Sequence, residues 1–485
     1  MRRESFEVLL LTGLLGLGGC AVGPAYERPA VALPAQYRYG DPAANLQATD
    51  AAWWQSFGDP VLDGLVKEAL ANNRDLESAA GRVEQFYGTL RTTRSAFYPK
   101  VGAEVNGSRT RASERTSSVA PPVNPYNAVS ADLFASWEID LFGRIRYQSE
   151  AARADLLASE EARLGVVLSV VAAVVNGYVT LRDLDRELEV SRDTLTSRTA
   201  ALDLFERRFK GGVVSELELN QARSEYATAL RSVPDKEQLI AQQEHALSVL
   251  LGRNPGPIER GRAIDELAAP AVPSGLPSVL LERRPDLRQA EQAMIAANAR
   301  IGAARALYYP DISLTGLFGA ASTSLSQLWT GPARIWTFAG AVTMPIFSGG
   351  SIAGQVQSAE GGRREAQANY QKAIQSAFQD TENALIGVRK SGESLDAQKL
   401  EVSSLRTYAR VARQRYEGGY TSYLEVLDAE RSLFASEISL AQSHAAALGQ
   451  HIALFKALGG GWVALADQGT PQPSVRVGET PPAWP

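Results

Sequence analysis

Apolar and polar positions alternate in two places in each half of the chain, and after each such pair comes a long run spaced at threes and fours. After Pro99, Val101, Ala103 and Val105 share one face while Gly102, Glu104 and Asn106 share the other. From Val129 to Leu141 the pattern is cleaner. Val129, Ala131, Leu133, Ala135, Trp137, Ile139 and Leu141 fall on one side, and Ser130, Asp132, Ser136, Glu138 and Asp140 on the other. A period of two predicts strands with one dry and one wet side. The second half repeats it with Ile312, Leu314, Gly316 and Phe318, then Trp336, Phe338, Gly340, Val342, Met344 and Ile346. Loops rich in Ser, Pro, Gly and Asn, about 108–127 and 320–333, separate the strands of each pair.

The runs that follow are helical. Val167, Val171, Val174, Tyr178, Leu181, Leu184, Leu188, Leu195, Leu202, Phe205 and Phe209 recur at threes, fours and sevens. So do Ile374, Phe378, Leu385, Val388, Leu395, Val402, Leu405, Ala412 and Tyr416. These seams predict helices over Gly143–Phe209 and Ser351–Tyr416 that pack as coiled coils, each about 100 Å long at 1.5 Å per residue. Both stop at paired glycines, Gly211-Gly212 and Gly418-Gly419, which tolerate positive φ at a helix C-terminus. Ser215-x-x-Glu218 and Ser422-x-x-Glu425 read as capping boxes that start return helices. Each half therefore ends in a tight helical hairpin.

The halves are copies. Residues 208–218 (RFKGGVVSELE) match 415–425 (RYEGGYTSYLE), and Arg94-Ser95-Ala96-Phe97-Tyr98-Pro99 matches Arg305-Ala306-Leu307-Tyr308-Tyr309-Pro310. A period of roughly 200 residues is too long for a solenoid and describes tandem domain-sized units. We divide the chain into a signal peptide (1–19), an N-terminal segment (20–60), a first repeat (61–270), a second repeat (271–460) and a C-terminal tail (461–485).

At the N-terminus Arg2 and Arg3 precede an apolar run from Val8 to Leu17, closing on Leu17-Gly18-Gly19-Cys20. Roughly ten apolar residues are too few to span a bilayer, so this is an export signal. The ending resembles a lipobox, in which Cys20 is cleaved free and acylated; a stray thiol is the plainer alternative. Ala21 in place of Asp matches the sorting of such lipoproteins to the outer membrane.

Composition narrows the class. The 485 residues are 45% apolar with a net charge of −5, which argues against a nucleic-acid binder, since that needs a concentrated basic surface. No stretch after the signal approaches about 18 consecutive apolar residues, so a membrane crossing must use strands. A soluble sandwich would show the same alternation. Strands of roughly 9 to 13 residues, with Trp137, Trp329 and Trp336 placed like interfacial aromatics, favour the outer membrane. Four strands cannot close a barrel, so a membrane sheet requires several copies: two would give eight strands and three would give twelve.

Four motifs in order now carry a resemblance: Cys20-Ala21-Val22-Gly23-Pro24-Ala25-Tyr26-Glu27-Arg28-Pro29, the Tyr-Pro strand entries, Leu281-Glu282-Arg283-Arg284-Pro285-Asp286-Leu287, and residues 423–431 (YLEVLDAER). Along essentially its whole length the chain resembles the outer membrane factor family (TolC- and OprM-like), in its lipoprotein (NodT) branch serving resistance-nodulation-division (RND) efflux systems. The resemblance implies an α+β membrane protein. Three protomers would form a twelve-strand transmembrane β-barrel and an α-barrel of helical hairpins. Residues before 60, about 254–275 and after 459 would form an equatorial belt. The implied partners are two further copies, a periplasmic adaptor, an inner-membrane RND pump and outer-membrane lipid. No cofactor is implied beyond the lipid on Cys20.

The resemblance also implies a gate. Leu424, Asp428 and Arg431 stand at i, i+4 and i+7, on one helix stripe. They match the family positions that constrict the periplasmic mouth, with Leu424 blocking sterically and Asp428 and Arg431 bonding neighbouring helices. The first-half equivalents, Leu217, Gln221 and Ser224, carry no charge. An Asp and an Arg on a helix are more often a solvated pair. The hairpin turns, Gly211, Gly212, Ser215, Gly418, Gly419 and Ser422, are the expected adaptor-docking ends.

Enzyme readings fail on residue types. There is no Gly-x-x-x-x-Gly-Lys phosphate loop, and three histidines with one cysteine are poor zinc ligands. The competing functions are a secretion or nodulation-factor exporter using the same duct, and a lipid-anchored periplasmic adaptor or scaffold that forms no pore.

Overall fold

The computed structural model describes residues 22–31, 34, 36–40, 52–113, 115, 123–270, 280–459 and 461–474. Cys20 and the signal segment lie outside the described residues. The two halves repeat one order of elements. The first half holds α1 (Pro60–Asn72), α2 (Arg74–Arg94), β1 (Lys100–Thr110), β2 (Tyr126–Ile139), α3 (Arg144–Lys210) and α4 (Glu216–Leu250). After a single helical turn, Leu280–Arg283, the second half holds α5 (Pro285–Ala306), β3 (Asp311–Ser322), β4 (Arg334–Thr343), α6 (Ser351–Glu417) and α7 (Tyr423–Leu458), and α8 (Trp462–Asp467) follows.

Contacts divide the chain into two units, each drawing on both repeats: Met1–Ala30, Gln85–Ala158 and Ala290–Tyr370 form one, and Val31–Glu84, Ser159–Gln289 and Gln371–Pro485 the other. In the first unit the strands form one antiparallel sheet in the order β1-β2-β3-β4. Its register pairs Val101 with Ala135, Ala135 with Gly316 and Gly316 with Phe338, so the four predicted dry sides make one face. That face is open: Val105, Phe338 and Val342 are each more than two-thirds exposed. Among the described residues, β1 and β4 each pair on one side only.

The strands depart from the pattern at their ends. β1 runs to Thr110 and β2 begins at Tyr126, because Ser108, Arg109 and Thr110 pair with Ala128, Asn127 and Tyr126 although their side chains have lost the alternation. β4 stops at Thr343 and β2 at Ile139. Pro345 follows β4 closely and has no N–H for a ladder. Met344, Ile346 and Leu141 therefore lie beyond the strands that the alternation assigned them to.

Asp140 turns β2 into α3: its carboxylate accepts from the backbone N–H groups of Ile145 (3.0 Å) and Arg146 (2.8 Å), while Gly143 takes φ +81. Beside this corner residues 22–30 lie along α5. The Gly23 N–H donates to the Tyr147 hydroxyl (2.8 Å) and Asn298 Nδ2 donates to the Pro24 carbonyl (2.9 Å). Tyr26 and Arg28 both donate to Glu291. A Cβ on Gly23 would stand 2.7 Å from the Tyr147 ring and 2.8 Å from Gly302 Cα, so this close approach requires glycine.

The second unit holds the main core. Trp53, Trp54 and Phe57 pack with Phe455 and Trp462, the Trp53 and Phe455 rings stacking at 5.1 Å. Ile258, Ile264 and Leu267 join them, so the three segments assigned to a belt meet in one cluster. Buried Asp59 ties them to α3: it accepts from Val61 N (2.9 Å), Arg262 N (2.9 Å) and the Tyr178 hydroxyl (2.7 Å). Part of α3 is long and apolar enough to cross a membrane. Its Val167, Val170, Val171, Val174 and Val175 are instead buried in this core, which accounts for the apolar run.

Candidate functional site

Both hairpin turns lie in the second unit, and both close with the same bonds. Gly212 N–H donates to the Phe209 carbonyl (2.9 Å) and Val213 N–H to that of Arg208 (2.9 Å). Gly419 N–H donates to Tyr416 (3.0 Å) and Tyr420 N–H to Arg415 (2.8 Å). This is the Schellman arrangement, with Gly212 at φ +70 and Gly419 at φ +75. Val213 and Tyr420 stand exposed at the tips.

The return helices start differently. Ser215 and Glu218 form the expected capping box, with Glu218 N donating to Ser215 Oγ (3.2 Å) and Ser215 N to Glu218 Oε2 (2.8 Å). Ser422 caps α7 without a side-chain bond. Its intended partner Glu425 is taken by Thr421 Oγ1 and by Arg415 Nη1 (3.1 Å), so the second box does not form.

Along α7 the two faces separate as the spacing demands. Tyr423, Val426, Leu427 and Ala429 are buried with Phe205, Leu219 and Ala412 in a core shared by the two hairpins. The Phe205 and Tyr423 rings lie 4.2 Å apart. Burial, then the charge of Glu430, pushes the Tyr423 hydroxyl up to about 12, so it stays neutral. Leu424, Asp428 and Arg431 occupy the opposite, exposed face, Leu424 being 61% exposed. The structure thus brings the three residues onto one stripe.

Asp428 Oδ2 lies 3.5 Å from the Tyr408 hydroxyl of α6. Arg431 pairs with Glu225 of α4, which holds its guanidinium above its ordinary range, with Asp428 adding to the effect. Glu225 follows directly on Ser224, so charge is not confined to the second hairpin as its equivalents suggested. Glu225 also lies 3.8 Å from Arg198 of α3, which donates to Glu430 at 2.7 Å; Glu430 in turn pairs with Arg413 of α6. The stripe spacing gave no sign of these partners. Apart from Glu430, on α7 itself, they lie on three other helices, and only the apposition of the hairpins makes them neighbours.

An antiparallel sheet with an exposed apolar face and two open edges, carried on a chain of paired helical hairpins, defines a protomer of a membrane channel. The family model described as outer membrane efflux protein matches residues 65–253 and 276–460, and the chain belongs to that family. It is 35% identical to a probable efflux pump outer membrane protein, TtgC of Pseudomonas putida, over 99% of each chain. Among solved structures it is similar to CusC, described in terms of transmembrane channel formation (33% identity, TM-score 0.81, 91% of this chain and 100% of that one). It is likewise similar to the open state of the Neisseria gonorrhoeae MtrE outer membrane channel (30% identity, TM-score 0.82, 91% and 99%). The protein is an outer-membrane exit duct for efflux and not an enzyme.

Proposed function

We propose that this chain works as a lipid-anchored homotrimer, the exit duct of a tripartite system. It would conduct small molecules delivered by an inner-membrane RND pump through a periplasmic adaptor. The observation that carries the reading is the sheet: among the described residues, four strands of 10 to 14 residues with an exposed apolar face and an unpaired edge at each side. An open edge is not tolerated in lipid. Edge-to-edge pairing of three copies removes all edges and gives a closed barrel of about twelve strands.

Acylation of Cys20 would tether the chain only three residues before Gly23, where the docking on Tyr147 and α5 begins. The tips at Gly211, Gly212 and Ser215 and at Gly418, Gly419 and Ser422 are the docking ends for the adaptor. In the trimer Leu424, Asp428 and Arg431 form stacked rings at the periplasmic mouth, a leucine constriction held by charged neighbours; the acidic ring favours cations.

Single-channel conductance in planar bilayers tests duct and gate together. Purified mature protein should show a small conductance that rises severalfold in an Asp428→Ala, Arg431→Ala variant of verified fold. Equal, stable conductance in both proteins keeps the duct and removes the gate. No conductance from correctly inserted protein removes the pore.

A further inference from the structure

The arginine at the centre of the gate's ion pairs does not lie on the gate stripe. Arg198, on the part of α3 that belongs to the second unit, is 3% exposed. Its guanidinium faces two carboxylates at once, Glu430 at 2.7 Å and Glu225 at 3.8 Å, whose side chains are 14% and 12% exposed. Each carboxylate holds a second arginine on its outer side, Glu225 taking Arg431 and Glu430 taking Arg413. Glu430 and Arg431 are consecutive residues of α7. The path from Arg431 through Glu225 and Arg198 to Glu430 therefore returns to the helix it left, and it stitches α7 to α4 and α3.

A guanidinium does not lose its proton in a protein, so a buried one persists only when carboxylates offset its charge. The dependence is mutual. Without Arg198, Glu225 and Glu430 would each keep only an exposed outer arginine, and repulsion between two shielded acids would drive at least one toward water. Arg431, with 68% of its side chain exposed, cannot hold Glu225 by itself, because exposed pairs are screened and weak. With Asp428 acting on Arg431, the cluster of three arginines, two glutamates and one aspartate is neutral.

We propose that Arg198 is the positioning residue of the gate: it fixes Glu225 and, through Glu225, sets where Arg431 stands, so that the lock on each second hairpin is made inside its own protomer. This rests on the reading of Arg431 as a gate residue.

The test compares Arg198→Met, Arg431→Ala, the double variant and Arg198→Lys in planar bilayers, with trimer content and helicity checked first. Arg198→Met should raise conductance severalfold, as Arg431→Ala does, and the double variant should rise no further than the larger single effect. Arg198→Lys should recover part of the closed state by restoring the charge. Hydrogen exchange over residues 216–226 and 423–434 should quicken in Arg198→Met and slow again in Arg198→Lys. Glu430→Gln, which leaves Arg198 paired with Glu225, stands in if Arg198→Met fails to assemble; it should give the same rise at smaller amplitude. Conductance unchanged by Arg198→Met while Arg431→Ala raises it, or effects that simply add, overturns the proposal. An Arg431→Ala channel that stays at the wild-type level removes the gate reading itself, and Arg198's role there with it.

Discussion

Asp183 shows what one buried acid costs this bundle. It lies on α3, 9% exposed, and its Oδ1 has no hydrogen-bond partner among the described residues. One turn on, buried Glu187 pairs with Lys236 of α4 and accepts from Gln442 Nε2 of α7 at 2.7 Å. Burial first, then the charge of Glu187, pushes the Asp183 carboxyl up to about 7, with Lys236 opposing. An unfolded aspartate titrates near 4, so the folded state binds this proton more tightly. Its contribution is full below about pH 4 and is lost as the pH rises through 7. Melting curves from pH 5 to pH 8 should therefore show the midpoint falling in the wild type. Asp183→Asn should flatten the slope and be the more stable protein at pH 8, by about 2 kcal/mol after allowance for solvent screening. An unchanged slope in the variant would assign the titration to another acid.

At the scale of elements, the two turns make a matched pair of predictions. Gly212 and Gly419 have positive φ, where a side chain costs about 1 kcal/mol or more. Gly211 does not, and a Cβ there would meet ordinary contacts at 3.5 Å and beyond. Gly212→Ala and Gly419→Ala should lower the melting midpoint and quicken exchange at the tips, whereas Gly211→Ala should leave both near wild type. Glycine pairs and seams also explain why the long helices were legible. Gly143–Phe209 and Ser351–Tyr416 were expected; Arg144–Lys210 and Ser351–Glu417 are found, because the start and stop signals are local. That Leu424, Asp428 and Arg431 share one exposed stripe was legible for the same reason, as a matter of spacing on one helix. Strand ends, the competition of Thr421 and Arg415 for Glu425, and the Glu225 partner of Arg431 were not. Each depends on a neighbour that sequence order does not place nearby.

At the scale of the whole molecule, the two faces of the sheet should respond oppositely to charge. Val105, halfway along β1, belongs to the apolar face, and Asn106 to the other. If the apolar face meets lipid, Val105→Lys costs about 2–4 kcal/mol near the bilayer midplane and should deplete the outer membrane of protein. Asn106→Lys should insert normally and shift ion selectivity toward anions. Fractionated membranes probed for the protein, with reversal potentials for the inserted variant, check both; equal depletion would mean that the faces are assigned wrongly.

The two unpaired edges have a genetic consequence. In the proposed ring every copy must offer two sound edges, so one faulty copy spoils the channel for its two healthy neighbours. An allele that damages β1 or β4 but leaves the hairpins intact should act as a dominant negative, poisoning more channels than its share of the protein. An allele that damages only a tip should dilute function roughly in proportion. Co-expression with the wild-type gene, scored by survival on an exported toxin, would separate the two kinds of defect without purified protein.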